Sequence, residues 1–346
     1  MTWIEPNIGG RFAAIVGAPR CGTTSLARYL ESHPAIDFSF VKEPHFFSQH
    51  DLTELDDDEL LEAVEQEYLA RFFPEANFDD RMLMEGSVTY LYTPEQMEPI
   101  LRLWPEAKFI IAVRDPLDML PSLHQRLLFI GDETEKDFER SWELALERAR
   151  GNHIPRTCIE PKWLQYPEIG KLGSYVGRFF RAVGRERCHV IVFDDFAANP
   201  GAVYREALAF LGLPDDGRTD FAPRRESRAY RFGWLQRLLK RPPKKVRLAL
   251  GGHKYRQRFK KIDEVKPDPP LVGAILRWRK QLLHWNQIPA PETSLSPEMQ
   301  ERMRDALAPD IIHLARLLRR DLSDWLGGVP EANMEPPARE HASVGA

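Results

Sequence analysis

The sequence predicts an open α/β fold, a parallel sheet flanked by helices, and three observations carry that prediction. Short apolar runs at residues 12–17, 81–85, 109–113 and 189–193 each close on turn or helix signals, as strands buried on both faces do. Helical patterns lie between these runs, and alternating strands and helices build a parallel sheet covered on both sides. The first run passes through a glycine-bearing loop into a helix, the opening unit of such a sheet.

Each element has its own signal. Residues 23–32 read as a helix with Leu26, Tyr29 and Leu30 on one face and Pro34 just past its end. The acidic stretch 51–67 carries Leu55, Leu60, Leu61 and Val64 at helical spacing, so an amphipathic helix with a solvated face is expected. From 224 to 261 the chain turns basic. Arg237, Lys240, Arg241, Lys244, Lys245 and Arg247 cluster around Pro242 and Pro243, and Glu226 is the only acid. Residues 296–326 return to an amphipathic helical pattern, and 329–346, rich in Pro, Ala and Glu, read as a disordered tail. The expectation is a single domain over 1–328 with helical insertions at about 131–170 and 234–291.

Composition excludes several classes. A chain of 346 residues that is 43% hydrophobic has enough apolar material for one large core. A formal charge of −4 argues against a dedicated nucleic-acid binder. The three cysteines, Cys21, Cys158 and Cys188, have neither disulfide-framework nor metal-site spacing, which suits a reducing compartment. The N-terminus has no basic and apolar signal-peptide pattern, and no window approaches the roughly 18 apolar residues of a membrane helix. A cytoplasmic protein is expected, with peripheral membrane contact left open by the basic segment.

Residues 17–24, Gly-Ala-Pro-Arg-Cys-Gly-Thr-Thr, space two glycines as a phosphate-binding loop between strand and helix does. The loop of nucleoside triphosphatases needs Gly-Lys followed by Ser or Thr. Here Thr23 replaces that lysine and the cation is Arg20, a set better suited to a phosphate ester than to a Mg²⁺-bound triphosphate. The alternative is a tight strand-to-helix turn made by Gly22. Arg114 ends the run 109–113, at the carboxyl edge where open α/β sheets bind ligands, with Asp115 to cap the next helix and Pro116 in its first turn. Ser122 follows about two helical turns on, where both side chains can face a second phosphate; a salt bridge from Arg114 to a nearby acid is the competing reading. In the segment 39–47, Glu43 stands beside Lys42 among apolar neighbours, where burial is expected to raise the carboxyl pKa and make it a base. His45 is a rival base, and a structural Glu–Lys pair fits composition equally.

These motifs, in this order, resemble the sulfotransferases that use 3′-phosphoadenosine-5′-phosphosulfate (PAPS), particularly the carbohydrate (heparan-sulfate type) and bacterial branch. Residues 19–26 look like that family's 5′-phosphosulfate loop, and Arg114 with Ser122 like its 3′-phosphate motif. The run 42–47 is similar to the segment bearing the carbohydrate branch's catalytic glutamate. Residues 193–213 and 320–326 resemble the family's late strand, helix and ending. The resemblance implies that Arg20 and residues Cys21, Gly22, Thr23, Thr24 and Ser25 hold the phosphosulfate, and that Arg114 and Ser122 hold the 3′-phosphate. Arg228 and Arg231 would belong to a loop over the 3′ side. Glu43 would take the acceptor proton, with Lys42 and Arg20 stabilising charge on the transferring group, and no metal would be required. PAP, the 3′,5′-bisphosphate, would be the product, and the acceptor a hydroxyl or amine on a carbohydrate, lipid or small molecule. Arg20 stands where many members have Lys, Phe193 where Tyr is common, and Gly86 where the carbohydrate branch often has a substrate-site Lys. The last departure weighs against a polyanionic glycan. No counterpart of the cytosolic branch's catalytic histidine is evident, so Glu43 is preferred to His45 or His124.

Two other functions fit parts of the chain. A P-loop nucleotide kinase or NTPase would use the loop at 17–24 with Mg²⁺ and ATP. A non-catalytic protein binding an anionic surface would use the basic segment, where Leu235, Leu238 and Leu239 interleave with Arg and Lys.

Overall fold

The apolar run after Arg11 forms β1 (Arg11–Gly17), six of its seven residues buried, and four further short strands align with it. They are β2 (Ile36–Phe38), β3 (Met82–Glu85), β4 (Lys108–Val113) and β5 (Cys188–Val192). The sheet order is β2-β3-β1-β4-β5, and every neighbouring pair is parallel. This computed structural model describes residues 10–76, 81–222, 228–240, 270–289 and 294–328. The basic run at 241–261 and the tail expected at 329–346 lie outside them.

Crossover helices cover the sheet, as parallel pairing requires. The main ones are α1 (Thr23–Glu31), α2 (Pro116–Ile130), α3 (Leu172–Val183), α4 (Pro200–Leu211), α5 (Gly233–Lys240), α6 (Pro270–Trp285) and α7 (Pro297–Leu318). A short antiparallel pair, β6 (Arg228–Tyr230) with β7 (Gln287–Pro289), lies apart from the main sheet and brackets α5 and α6 in sequence. One core cluster runs from Phe12 on β1 to Met303, Leu307 and Leu314 on α7. Phe138, Trp142, Leu164 and Tyr166, from the stretch 131–170, belong to that cluster. The acidic stretch is helical at Asp57–Ala63 and continues as a wider π-helical turn over Val64–Leu69, with Leu60, Val64 and Tyr68 buried.

This topology positions the site. From β1 the chain crosses to the edge strand β2 and returns through β3, then passes to β4 on the other side of β1 and on to β5, so the direction of connection reverses between β1 and β4. The carboxyl edge at such a reversal is where open sheets bind ligands. The segment with Lys42 and Glu43 follows β2, Gly86 follows β3, the Arg20 loop follows β1, Arg114 follows β4 and Phe193 follows β5. The same edge carries them all.

Candidate active site

The loop between β1 and α1 is shaped by two glycines. Gly17 has φ +154°, and a Cβ there would lie 2.7 Å from Leu91 Cβ. Gly22 is the N-cap of α1 at φ 81°, and a Cβ would lie 2.9 Å from Phe196 Cδ1. Both are positions that a side chain would strain or fill. Between them Arg20 adopts φ 67°, a left-handed conformation uncommon for any residue but glycine. Thr23 and Thr24 open α1, and their N–H groups sit at the positive end of the helix dipole, while Ser25 N and Leu26 N donate to Gly22 O at 3.0 and 3.2 Å. Cys21 is buried at 1% exposure. Burial pushes its thiol up to about 12, with the nearby Arg114 and Arg20 guanidinium groups pulling less strongly the other way. An uncharged, enclosed thiol leaves Cys21 only its backbone to offer an anion. Ser25 and Thr24 are part-buried, and Thr23 is buried.

The second cation stands one strand over. Asp115 caps α2 by accepting from Leu117 N at 2.8 Å, with Pro116 next in the first turn, and this turn fixes Arg114 at the end of β4. The Arg114 guanidinium lies 4.4 Å from the Phe193 ring centroid and donates to Asp118 Oδ2 at 2.9 Å. The anticipated salt bridge is therefore present, on the helix turn that follows. Yet the Arg114 Nε is buried and has no hydrogen-bond partner among the described residues. An orphaned buried donor on a guanidinium suits an anionic ligand. Ser122 departs from expectation. Sequence spacing pairs it with Arg114, whereas its Oγ accepts from Arg20 Nε at 2.9 Å. The reason is the left-handed turn at Arg20, which sends that side chain across to α2. Arg231 is exposed, its guanidinium 5.5 Å from the Trp285 ring centroid and its backbone N–H bonded to Asn286 O at 2.9 Å. Arg228 begins β6 opposite Pro289, and its side chain lies outside the described residues.

The third component follows β2. Lys42 Nζ donates to Glu43 Oε1 at 2.6 Å, and His45 Nε2 lies 3.7 Å from Glu43 Oε2. His45 is itself left-handed at φ 57°, with Nδ1 2.9 Å from Thr89 Oγ1. The expected rise in the Glu43 pKa does not occur. Burial does push it upward, but the His45 imidazole beside it and the bonded Lys42 cation outweigh that and hold the carboxyl at about 2. Glu43 keeps 37% of its side-chain surface, because Phe46 and Phe47 turn into the core and leave it at the edge.

Sequence reasoning missed what holds this segment. Glu85 is fully buried at the end of β3, accepting from Tyr68 at 2.9 Å, Tyr90 at 2.7 Å and the Ser87 hydroxyl. Burial raises its pKa despite those donors. Ser87 Oγ accepts from His45 N at 2.8 Å, and Gly86 N donates to Lys42 O at 2.8 Å. The signal was available, since an acid ending an apolar strand must find donors or stay protonated. Gly86 also acquires a reason: a Cβ there would meet Lys42 Cε at 3.3 Å, so its absence leaves room for the lysine stem. The late motif and the chain's ending meet as well, through Arg320 on Asp195 and Trp325 Nε1 on Asp194 Oδ2 at 3.2 Å.

With this geometry in place, comparison with known proteins is informative. Residues 13–160 match the model of the Sulfotransferase family. Carbohydrate sulfotransferase 15 of Mus musculus is 24% identical over 246 residues, covering 58% of this chain and 43% of its own length. Heparan sulfate glucosamine 3-O-sulfotransferase 5 of Mus musculus is 23% identical over 202 residues, covering 58% and 53%. The matched region thus spans about half the length of these curated relatives. A crystal structure of a sulfotransferase from Alicyclobacillus acidocaldarius is 27% identical, covers 92% of this chain and 98% of its own, and superposes with a TM-score of 0.60. A family model over residues 13–160, curated relatives and a solved fold agree: the chain is similar to sulfotransferases in sequence and in fold.

Proposed function

We propose that this protein transfers the sulfuryl group of PAPS to a hydroxyl or amine of a carbohydrate, lipid or small-molecule acceptor and releases PAP. The observation that carries the reading is the pair of cations at one sheet edge. Arg20 reaches Ser122, and Arg114 next to it keeps a buried Nε without a partner. In this reading Arg20 and the backbone amides and hydroxyls of Thr23 and Thr24 hold the 5′ phosphosulfate. Arg114 and Ser122 hold the 3′-phosphate, Arg228 and Arg231 lie toward that side, and Phe193 backs the Arg114 guanidinium. Thr23, standing where a P-loop lysine would be, disfavours a triphosphate. Three free thiols suit a reducing compartment such as the cytoplasm.

The chemistry asks for positioning and charge stabilisation. Glu43 accepts the proton of the acceptor O–H or N–H as that atom bonds to sulfur. The sulfur–oxygen bond to the 5′-phosphate breaks, and its electron pair leaves on the phosphate, opposite Arg20, Lys42 and the loop amides. A carboxyl held at about 2 is ionised but weakly basic. Lys42 eases this by its contact with Glu43: when Lys42 turns to the sulfuryl oxygens, Glu43 loses one of the two partners that lower its pKa, His45 being the other, and its basicity rises. The test is transfer from PAPS across an acceptor panel, read by mass, alongside calorimetry with PAP. Glu43→Gln is expected to retain PAP affinity and lose about 10²–10⁴ in rate. Arg114→Ala is expected to weaken PAP binding. Undiminished PAP affinity in Arg114→Ala, or stabilisation by ATP with Mg²⁺ but not by PAP, would overturn the reading.

A further inference from the structure

Helices α5 and α6 carry a surface that sulfuryl transfer does not use. Their inner side is fixed by buried amides. Asn286 Nδ2 donates to Phe232 O at 3.1 Å and to Gln236 Oε1 at 3.2 Å, and Gln236 Nε2 donates to Phe129 O at 2.7 Å, at the end of α2. Buried amides satisfied in this way specify one docking of the helix pair. The outer side is unusually apolar. Trp278 is 65% exposed, Trp234 63%, Trp285 52%, Leu238 51%, Phe232 46% and Ile275 39%. Elsewhere Trp104, Trp142 and Trp325 are all buried. Trp234 and Leu238 are four apart, so they share a face of α5; Ile275, Trp278 and Trp285 recur at helical spacing on α6. Phe232 and Trp285 stack with centroids 5.9 Å apart.

Charge on this unit has one sign. Residues 228–240 and 270–289 contain no Asp or Glu, while Arg277 and Lys280 are exposed, in a chain whose overall charge is −4. We propose that this face docks on an anionic lipid bilayer. Tryptophans suit the headgroup level, Leu238 and Ile275 the acyl boundary, and the cations the lipid phosphates. A soluble polyanion would have no use for the exposed aliphatic side chains, and a second copy joined through the same face would bring like charges together.

The full chain is sedimented with vesicles of phosphatidylcholine alone or containing about a third phosphatidylserine, at low and high salt. At least tenfold stronger retention on the anionic vesicles, lost at high salt, is expected. Trp278→Asp, and separately Arg277→Glu with Lys280→Glu, are expected to reduce that retention about fivefold or more while leaving the thermal shift by PAP unchanged. Equal retention on both vesicles would reject the proposal, as would indifference to these substitutions. So would a dimer in sedimentation velocity that Trp278→Asp dissolves, or heparin binding without vesicle binding.

Discussion

His45 and Lys42 both stand against Glu43, Lys42 adjacent in sequence and bonded in space, and together they bring a carboxyl whose ordinary value is 4.5 down to about 2. Because the folded value is the lower one, the interaction stabilises the fold above the unfolded pKa and is lost as pH drops from about 4.5 through about 2. Removing the cation has a defined sign. In Lys42→Met, a carbon-detected NMR titration is expected to place the Glu43 midpoint higher, back toward the usual carboxylate range. A midpoint that stays put would assign the depression to His45 alone. The residues of the site were legible to different degrees. Arg20, Glu43 and Arg114 each break an apolar or glycine-bearing pattern, so chemistry betrays them. The left-handed turn that sends Arg20 to Ser122, and the inward rotation of Phe46 and Phe47 that leaves Glu43 at the edge, are three-dimensional and leave no such mark.

At the scale of elements, the packing of α3 on α7 illustrates how close contact is bought with glycine and a cap. Asp310 on α7 accepts from Gly173 N at 2.6 Å and Ser174 N at 2.8 Å, capping α3 from outside its own chain segment. A Cβ on Gly173 would sit 2.3 Å from Asp310 O, a backbone atom that cannot step aside. Gly173→Ala is therefore expected to cost at least about 1–3 kcal/mol, the usual range for overpacking, measurable by urea denaturation. An alanine variant of unchanged stability would mean the two helices separate freely. Strands β1, β3, β4 and β5 were readable because each is a dense apolar run. β2, with only Ile36–Phe38, and the β6–β7 pair are too short to show a pattern and are defined by their partners.

Across the whole molecule, the stretch 131–170 is held together by a buried ion pair of its own. Arg148 donates to Glu133 at 2.7 and 2.9 Å, with side-chain exposures of 1% and 0%, and Tyr166 adds a hydrogen bond at 3.1 Å. Thr134 N and Glu135 N complete the Glu133 carboxylate at 2.7 and 2.9 Å. The adjoining Glu135 O lies 2.8 Å from His124 Nε2 on α2, two residues from Ser122. Order in this stretch and order at the Arg20–Ser122 contact are thus linked through one helix. Arg148→Met would leave the Glu133 carboxyl buried and short of its strongest donors, a change that typically costs about 3–5 kcal/mol. Making Glu133→Gln in the same chain removes the orphaned carboxyl and is expected to recover part of that loss. Hydrogen exchange should quicken across 131–170 and at α2 in the single variant, and PAP affinity should fall with it although neither residue belongs to the proposed nucleotide site. If exchange quickens at 131–170 while α2 and PAP affinity stay unchanged, the stretch is held independently of the site and the linkage through His124 is wrong.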